Sequence, residues 1–263
     1  MARKNGDAAA TGKEKGSKAL AAPASRVITP IKAAGGKLPG RGFENLDRGD
    51  ILLPRIQLLQ PLSPQVAELG EKPGTMFLNL SNKGLGRELT ITPVLHFRSR
   101  IKWNPRDDGG GIDCSSVDAK VPRETKYAPT CAECPHKEWD NAAKKRKDQA
   151  PACTLYENFV VLLGAEVSPV VLPMEKTKVK AARKFYSMMA LKGGDMFSFT
   201  YKLSTVQEKN ADGQTYFNYQ VTDIGKKTDP ERLKTCEQIW AALQKSVVVT
   251  EAEHPEGGEG AAA

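Results

Sequence analysis

The sequence predicts a mainly β, α+β fold with two helices, flanked by two tails without structure of their own. Three observations predict it. Thr-, Ile-, Val- and Phe-rich runs are separated by Pro, Gly and Asn turn signals. Two segments switch to helical spacing. Residues 1–40 and 251–263 are too poor in large apolar side chains to fold.

Residues 1–40 hold eight Lys/Arg against Asp7 and Glu14 and read as a disordered basic arm. Gly42-Phe43-Glu44-Asn45-Leu46 opens the body, and Ile51 to Gln60 is strongly apolar, broken by Pro54 and Pro61. Thr75 to Leu80 is a short strand bounded by Pro73-Gly74 and Ser81-Asn82. Glu88 to Trp103 is the longest strand pattern. Period two puts His96, Arg98, Arg100 and Lys102 on one face of it, with Phe97, Ile101 and Trp103 on the other. Tyr156 to Leu163 and Val167 to Leu172 are two further strands around Gly164. Thr177 to Leu191 places Val179, Ala182, Tyr186 and Met189 at helical spacing and stops at Gly193-Gly194. Met196 to Val206 and Thr215 to Ile224 form a hairpin, marked by Asp212-Gly213. A last helix begins at Pro230 with Asp229 as N-cap and runs to Gln244, with Leu233, Ile239, Trp240 and Leu243 as its apolar side.

Four cysteines, Cys114, Cys131, Cys134 and Cys153, fall in one Pro-, Asp- and Lys-rich stretch, about 104–155. Cys131-Ala132-Glu133-Cys134 is a CxxC, with sixteen residues before it to Cys114 and eighteen after it to Cys153. The spacing lets four thiolates meet on one tetrahedral ion, a closed structural zinc site that supplies folding energy a poor core cannot. Four unrelated reduced thiols, an iron–sulfur cluster, and His136 in place of one cysteine are the alternatives. Cys236 lies apart, in the last helical pattern.

A net charge of +8 and a pI near 9.2 point to a polyanion, most simply nucleic acid. Residues 251–263 invert the sign, with Glu251, Glu253, Glu256 and Glu259 and no Lys or Arg. Such a tail would compete with nucleic acid or recruit replication and recombination proteins. No stretch approaches the eighteen apolar residues of a membrane span, and Ala-rich 8–22 lacks an export-type hydrophobic region, so a cytoplasmic setting is expected. Enzyme signals are few. There are three histidines, no GxxxxGK[ST] or GxGxxG, and no Ser/His/Asp or Cys/His grouping. Asp107, Asp108, Asp113 and Asp118 around Gly109-Gly110-Gly111 read as a solvated turn or, alternatively, as a divalent-ion site.

One internal helix before a terminal hairpin fits a five-stranded barrel of the OB type, with the cysteine loop inserted and the domain spanning 41–250. That fold offers aromatic platforms in a positive groove to single strands. The phosphate-binding candidates are Arg98, Arg100, Lys102, Arg106, Lys144, Lys145, Arg146, Lys147, Lys178, Lys180, Arg183 and Lys184. Trp103, Tyr216 and Tyr219 are the stacking candidates, with Tyr201 and Phe217 behind them.

Several runs carry a resemblance: Phe43-Glu44-Asn45-Leu46, Pro54-Arg55-Ile56-Gln57-Leu58-Leu59-Gln60, Ser63-Pro64, Arg183-Lys184, Met196-Phe197, Leu203-Ser204-Thr205 and Tyr216-Phe217-Asn218-Tyr219. Over about 43–245 the chain resembles a group of phage and prophage proteins that are uncharacterised for the most part or described as single-stranded-DNA-binding. In layout alone it is also similar to the T-even phage helix-destabilising protein, an OB-type binder with a zinc loop, a basic N-terminal region and an acidic tail. The T-even protein has a histidine among its zinc ligands where this chain offers four cysteines. The resemblance implies a sequence-tolerant single-stranded-DNA binder of phage replication or recombination. A metal-dependent nuclease and a zinc-containing interaction adaptor are the alternatives.

Overall fold

The computed structural model describes residues 53–105, 107, 110–138, 151–166, 168–210 and 213–244. Both expected tails lie outside the described residues. Nine strands and three helices run in the order β1 (Ile56–Leu58), α1 (Pro64–Glu68), β2 (Met76–Leu78), β3 (Lys83–Gly86), β4 (Glu88–Trp103), β5 (Ile112–Ser116), β6 (Cys153–Leu163), β7 (Pro169–Glu175), α2 (Val179–Lys192), β8 (Phe199–Lys209), β9 (Thr215–Lys227) and α3 (Pro230–Leu243).

The strands form two antiparallel sheets, not the closed five-stranded barrel expected. The larger has the order β7-β6-β4-β8-β9, and β5 joins it on β4. The smaller is β1-β2-β3. Ladder pairing leaves β7 and β9 as two separate edges, and the small sheet straps across between them. At one end Arg55 bridges Val171 of β7, with Val171 N–H donating to Pro54 O at 2.8 Å. At the other, the Gln60 side chain donates to Phe217 O at 3.0 Å and accepts from Phe217 N–H at 2.9 Å. A positive φ of 84° at Gly74 lets the strap close on β9, because a Cβ there would stand 2.5 Å from the Phe217 ring.

β4 organises the molecule. Its β-branched and aromatic residues suit a central strand. It pairs with β6 from Ile91 to Lys102, with β8 from Glu88 to Ile91 and with β5 from Arg100 to Trp103. A bulge between Pro93 and Leu95 absorbs the proline that a regular ladder would reject. One sheet face packs Ile91, Phe159, Val161, Leu172, Met174, Tyr201 and Leu203 against Ile56, Leu58 and Met76 of the strap and Ala182 and Phe185 of α2. On the other, Val94 and Leu162 meet Cys236 and Ile239 of α3.

The helices hold two departures from expectation. Two residues of α2 are fully buried: Ala182, as the periodicity expected, and Phe185, which it did not single out. Trp240, placed on the apolar side of the last helix, stands 40% exposed. A third helix, α1, starts at Pro64 behind Ser63, and its five residues bury no side chain. The Asp229 cap is as expected, accepting from Arg232 N–H at 2.9 Å. No helix of the described residues is long and apolar enough to cross a membrane.

Candidate metal centre and nucleic-acid surface

The segment expected as an insertion is built into the large sheet at both ends. Cys114 sits on β5 and Cys153 opens β6, and both are in register with Lys102 on β4. Residues in register across a sheet share a face, so these two thiols flank one position from either side. The CxxC forms a turn in which Glu133 N–H donates to Thr130 O, and Cys131 N–H donates to Lys120 O at 2.8 Å. Pro135 then starts a single 3-10 turn whose His136 ring packs edge-on against Tyr127 at 4.5 Å.

All four cysteines line one cavity, together with Arg100 and Lys137. None of them is in a disulfide. Burial raises the Cys114 thiol above its ordinary value, and the nearby Cys131 and Cys134 add to this. Burial also raises Cys153, partly countered by Arg100. Among the described residues, no group of three or more His, Cys, Asp or Glu side chains is set close enough to grip an ion as it stands. Cys236 is elsewhere, in the α3 core, where burial pushes its thiol up to about 11. It is an inert packing residue.

The cationic face of β4 is neutralised from within. His96 Nε2 lies 2.9 Å from Glu157 Oε2 and Arg98 Nε lies 3.0 Å from it. Tyr186 of α2 donates to the same oxygen at 2.5 Å. Burial raises the Glu157 carboxyl, but the hydrogen bonds from His96, Tyr186 and Arg98 outweigh it and hold the group at about 2. Arg100 donates to Cys153 O at 3.4 Å. Lys102 is ion-paired with Asp113, which also takes Lys126 and, at 2.6 Å, the Tyr127 hydroxyl. Lys102, Lys126 and Tyr127 drive the Asp113 carboxyl far below the usual carboxylate range. Two carboxylates of neighbouring strands, Glu157 on β6 and Asp113 on β5, therefore pair with Arg98 and Lys102 of this face. Sequence reasoning missed Glu157. Its one mark is a carboxylate at the head of the apolar run Phe159–Leu163.

A different surface carries exposed charge. Lys178 is held by Glu175. Lys180, Arg183 and Lys184 on α2 are exposed, and among the described residues none of the three enters an ion pair. Their i, i+3, i+4 spacing sets them on one helix face. Of the aromatic candidates, Tyr219 is a correction. It lies in the core at 4% exposure, where no base can stack on it. Tyr201 and Phe217 are core residues for the same reason. Trp103 and Tyr216 are half-buried, and Tyr216 donates its hydroxyl to Glu208 at 2.6 Å. Arg106 and Lys144, Lys145, Arg146 and Lys147 lie outside the described residues.

Two carboxylates of the Asp/Gly stretch, Asp113 and Asp118, are occupied by structural work. Asp113 is ion-paired as above. Asp118 accepts from Ser116 Oγ at 2.9 Å and from Lys120 and Val121 N–H at 2.8 and 2.9 Å, a turn-forming pattern. Asp107 is exposed, and Asp108 lies outside the described residues.

No curated protein and no solved structure matches the chain. A family model described as Pam3 phage gp34-like protein matches residues 24–248, a description that names a phage and no activity. The match takes in the arm from residue 24, both sheets and all three helices, so the chain belongs to the Pam3 phage gp34-like family.

Proposed function

We propose that this phage-family protein binds single-stranded DNA with little sequence preference, in replication or recombination, and that the contact surface is the exposed face of α2 with Tyr216 alongside. The observation that carries the reading is the exposed triplet Lys180, Arg183 and Lys184, which enters no ion pair among the described residues, in a chain of net charge +8. Exposed cations outside ion pairs stay available to phosphates. Arg98 and Lys102 on β4 do not, because Glu157 and Asp113 already pair with them. The reading therefore moves the phosphate contacts from the β4 face to the helix. Lys180 lies near enough to Glu208 to help lower that carboxyl, which puts the half-buried Tyr216 beside the same surface. A tyrosine so placed can take a base on its ring, worth ~1–3 kcal/mol.

The test is a fluorescence-anisotropy titration of single-stranded and duplex oligonucleotides at two ionic strengths, with the full chain and with K180A/R183A/K184A. Tighter single-strand binding with a steep salt dependence is expected. The triple variant should flatten the slope of log K against log salt by about 2, at ~0.7 per lost phosphate contact. Binding insensitive to salt, or a variant that binds like the parent, would count against the proposal.

A further inference from the structure

We propose that Cys114, Cys131, Cys134 and Cys153 bind one zinc ion as thiolates, and that Arg100 is a positioning residue of that centre instead of a phosphate contact. The two halves of the site come from different parts of the chain. Cys114 and Cys153 are fixed by the sheet, one on each strand flanking β4, in register with Lys102. The Lys102 side chain is drawn off to Asp113 and Tyr127, which leaves the space between the two thiols to a ligand. Cys131 and Cys134 come from the CxxC turn, and all four side chains line the same cavity.

Four soft thiolates favour zinc over the oxygen-seeking magnesium and calcium. On binding, each thiol gives its proton to solvent, and the four sulfurs form a tetrahedron around the ion. The assembly then carries two negative charges. Arg100 and Lys137 at the cavity wall oppose them, while Glu124 on the same wall adds a negative charge. The Arg100 contact to the Cys153 carbonyl fixes the guanidinium there. Among the described residues no group of three or more His, Cys, Asp or Glu is set to hold an ion as it stands, so zinc binding would have to bring the four thiols closer together.

Elemental analysis of the full chain, purified under reducing conditions and then supplied with zinc, reads this without nucleic acid, so its outcome is separate from that of the DNA titration. One zinc per chain is expected, with C131S/C134S near zero and C236A unchanged. Cobalt in place of zinc should give the visible spectrum of a tetrahedral thiolate site in the unaltered chain, which decides the matter even if the double variant does not fold. R100Q should raise the zinc Kd by ~10–100-fold, as expected for loss of a supporting contact around a metal site. A chain that takes up no zinc, a double variant that keeps its full zinc content, or stoichiometric iron with inorganic sulfide would each overturn the zinc assignment. An R100Q zinc Kd equal to that of the parent would overturn the role given to Arg100.

Discussion

Replacing Glu157 with glutamine removes the charge on which His96, Arg98 and Tyr186 converge while leaving a side chain of nearly the same shape. The carboxyl falls from 4.5 to about 2 in the folded protein. At ~1.4 kcal/mol per pKa unit, that difference is worth on the order of 3 kcal/mol. Little of it is lost to solvent, since the Glu157 side chain is 3% exposed. A lowered folded-state value means the stabilisation is complete above the unfolded value near 4.5 and disappears as pH falls toward about 2. Urea unfolding of both proteins across that window is the assay, with the slope m checked for constancy. E157Q should be less stable by about 3 kcal/mol near neutral pH, and the gap should close as acid protonates the parent carboxylate. A gap of constant size across the window would refute the charge argument and leave only lost packing.

Three further outcomes follow from the geometry. G74A should lose about 2–4 kcal/mol in the same urea assay, because the new Cβ meets the Phe217 ring at a positive φ. D229A should lose about 1 kcal/mol, the worth of one N-cap, with the loss seen as faster amide exchange in the first turn of α3. Y219F should leave oligonucleotide affinity unchanged, since the ring stays in the core, whereas Y216A should weaken it by ~1–3 kcal/mol. Equal losses for the two tyrosines in the anisotropy assay would contradict the placement of Tyr219 away from the nucleic acid.

The strand run Glu88–Trp103 and the helix start at Pro230 were legible because each depends on local signals: alternation in one case, a cap in the other. The 215–224 strand was legible as well, although it runs on to Lys227. What stayed hidden depends on contacts between distant residues. The strap across β7 and β9 rests on single pairings, Arg55 with Val171 and Gln60 with Phe217, that no periodicity reports. β5 was concealed because Ile112–Ser116 is short, polar and follows a glycine run, and only its pairing with β4 makes it a strand. The alternation along β4 correctly grouped His96, Arg98, Arg100 and Lys102 on one face. It could not reveal that Glu157 and Asp113 would arrive from neighbouring strands to satisfy them. The burial of Tyr219 was equally invisible, since an aromatic on a strand reads the same whether it meets solvent or α2.

The Gln60 amide imitates a peptide group, offering β9 one donor and one acceptor where a further strand would otherwise dock. Beyond Phe217 the exposed residues Asp223, Lys226 and Lys227 put charge along the rest of that border. The outer edge of the β8–β9 hairpin thus carries two kinds of feature that oppose edge-to-edge pairing, a side-chain amide that occupies one backbone pair and charges near its end.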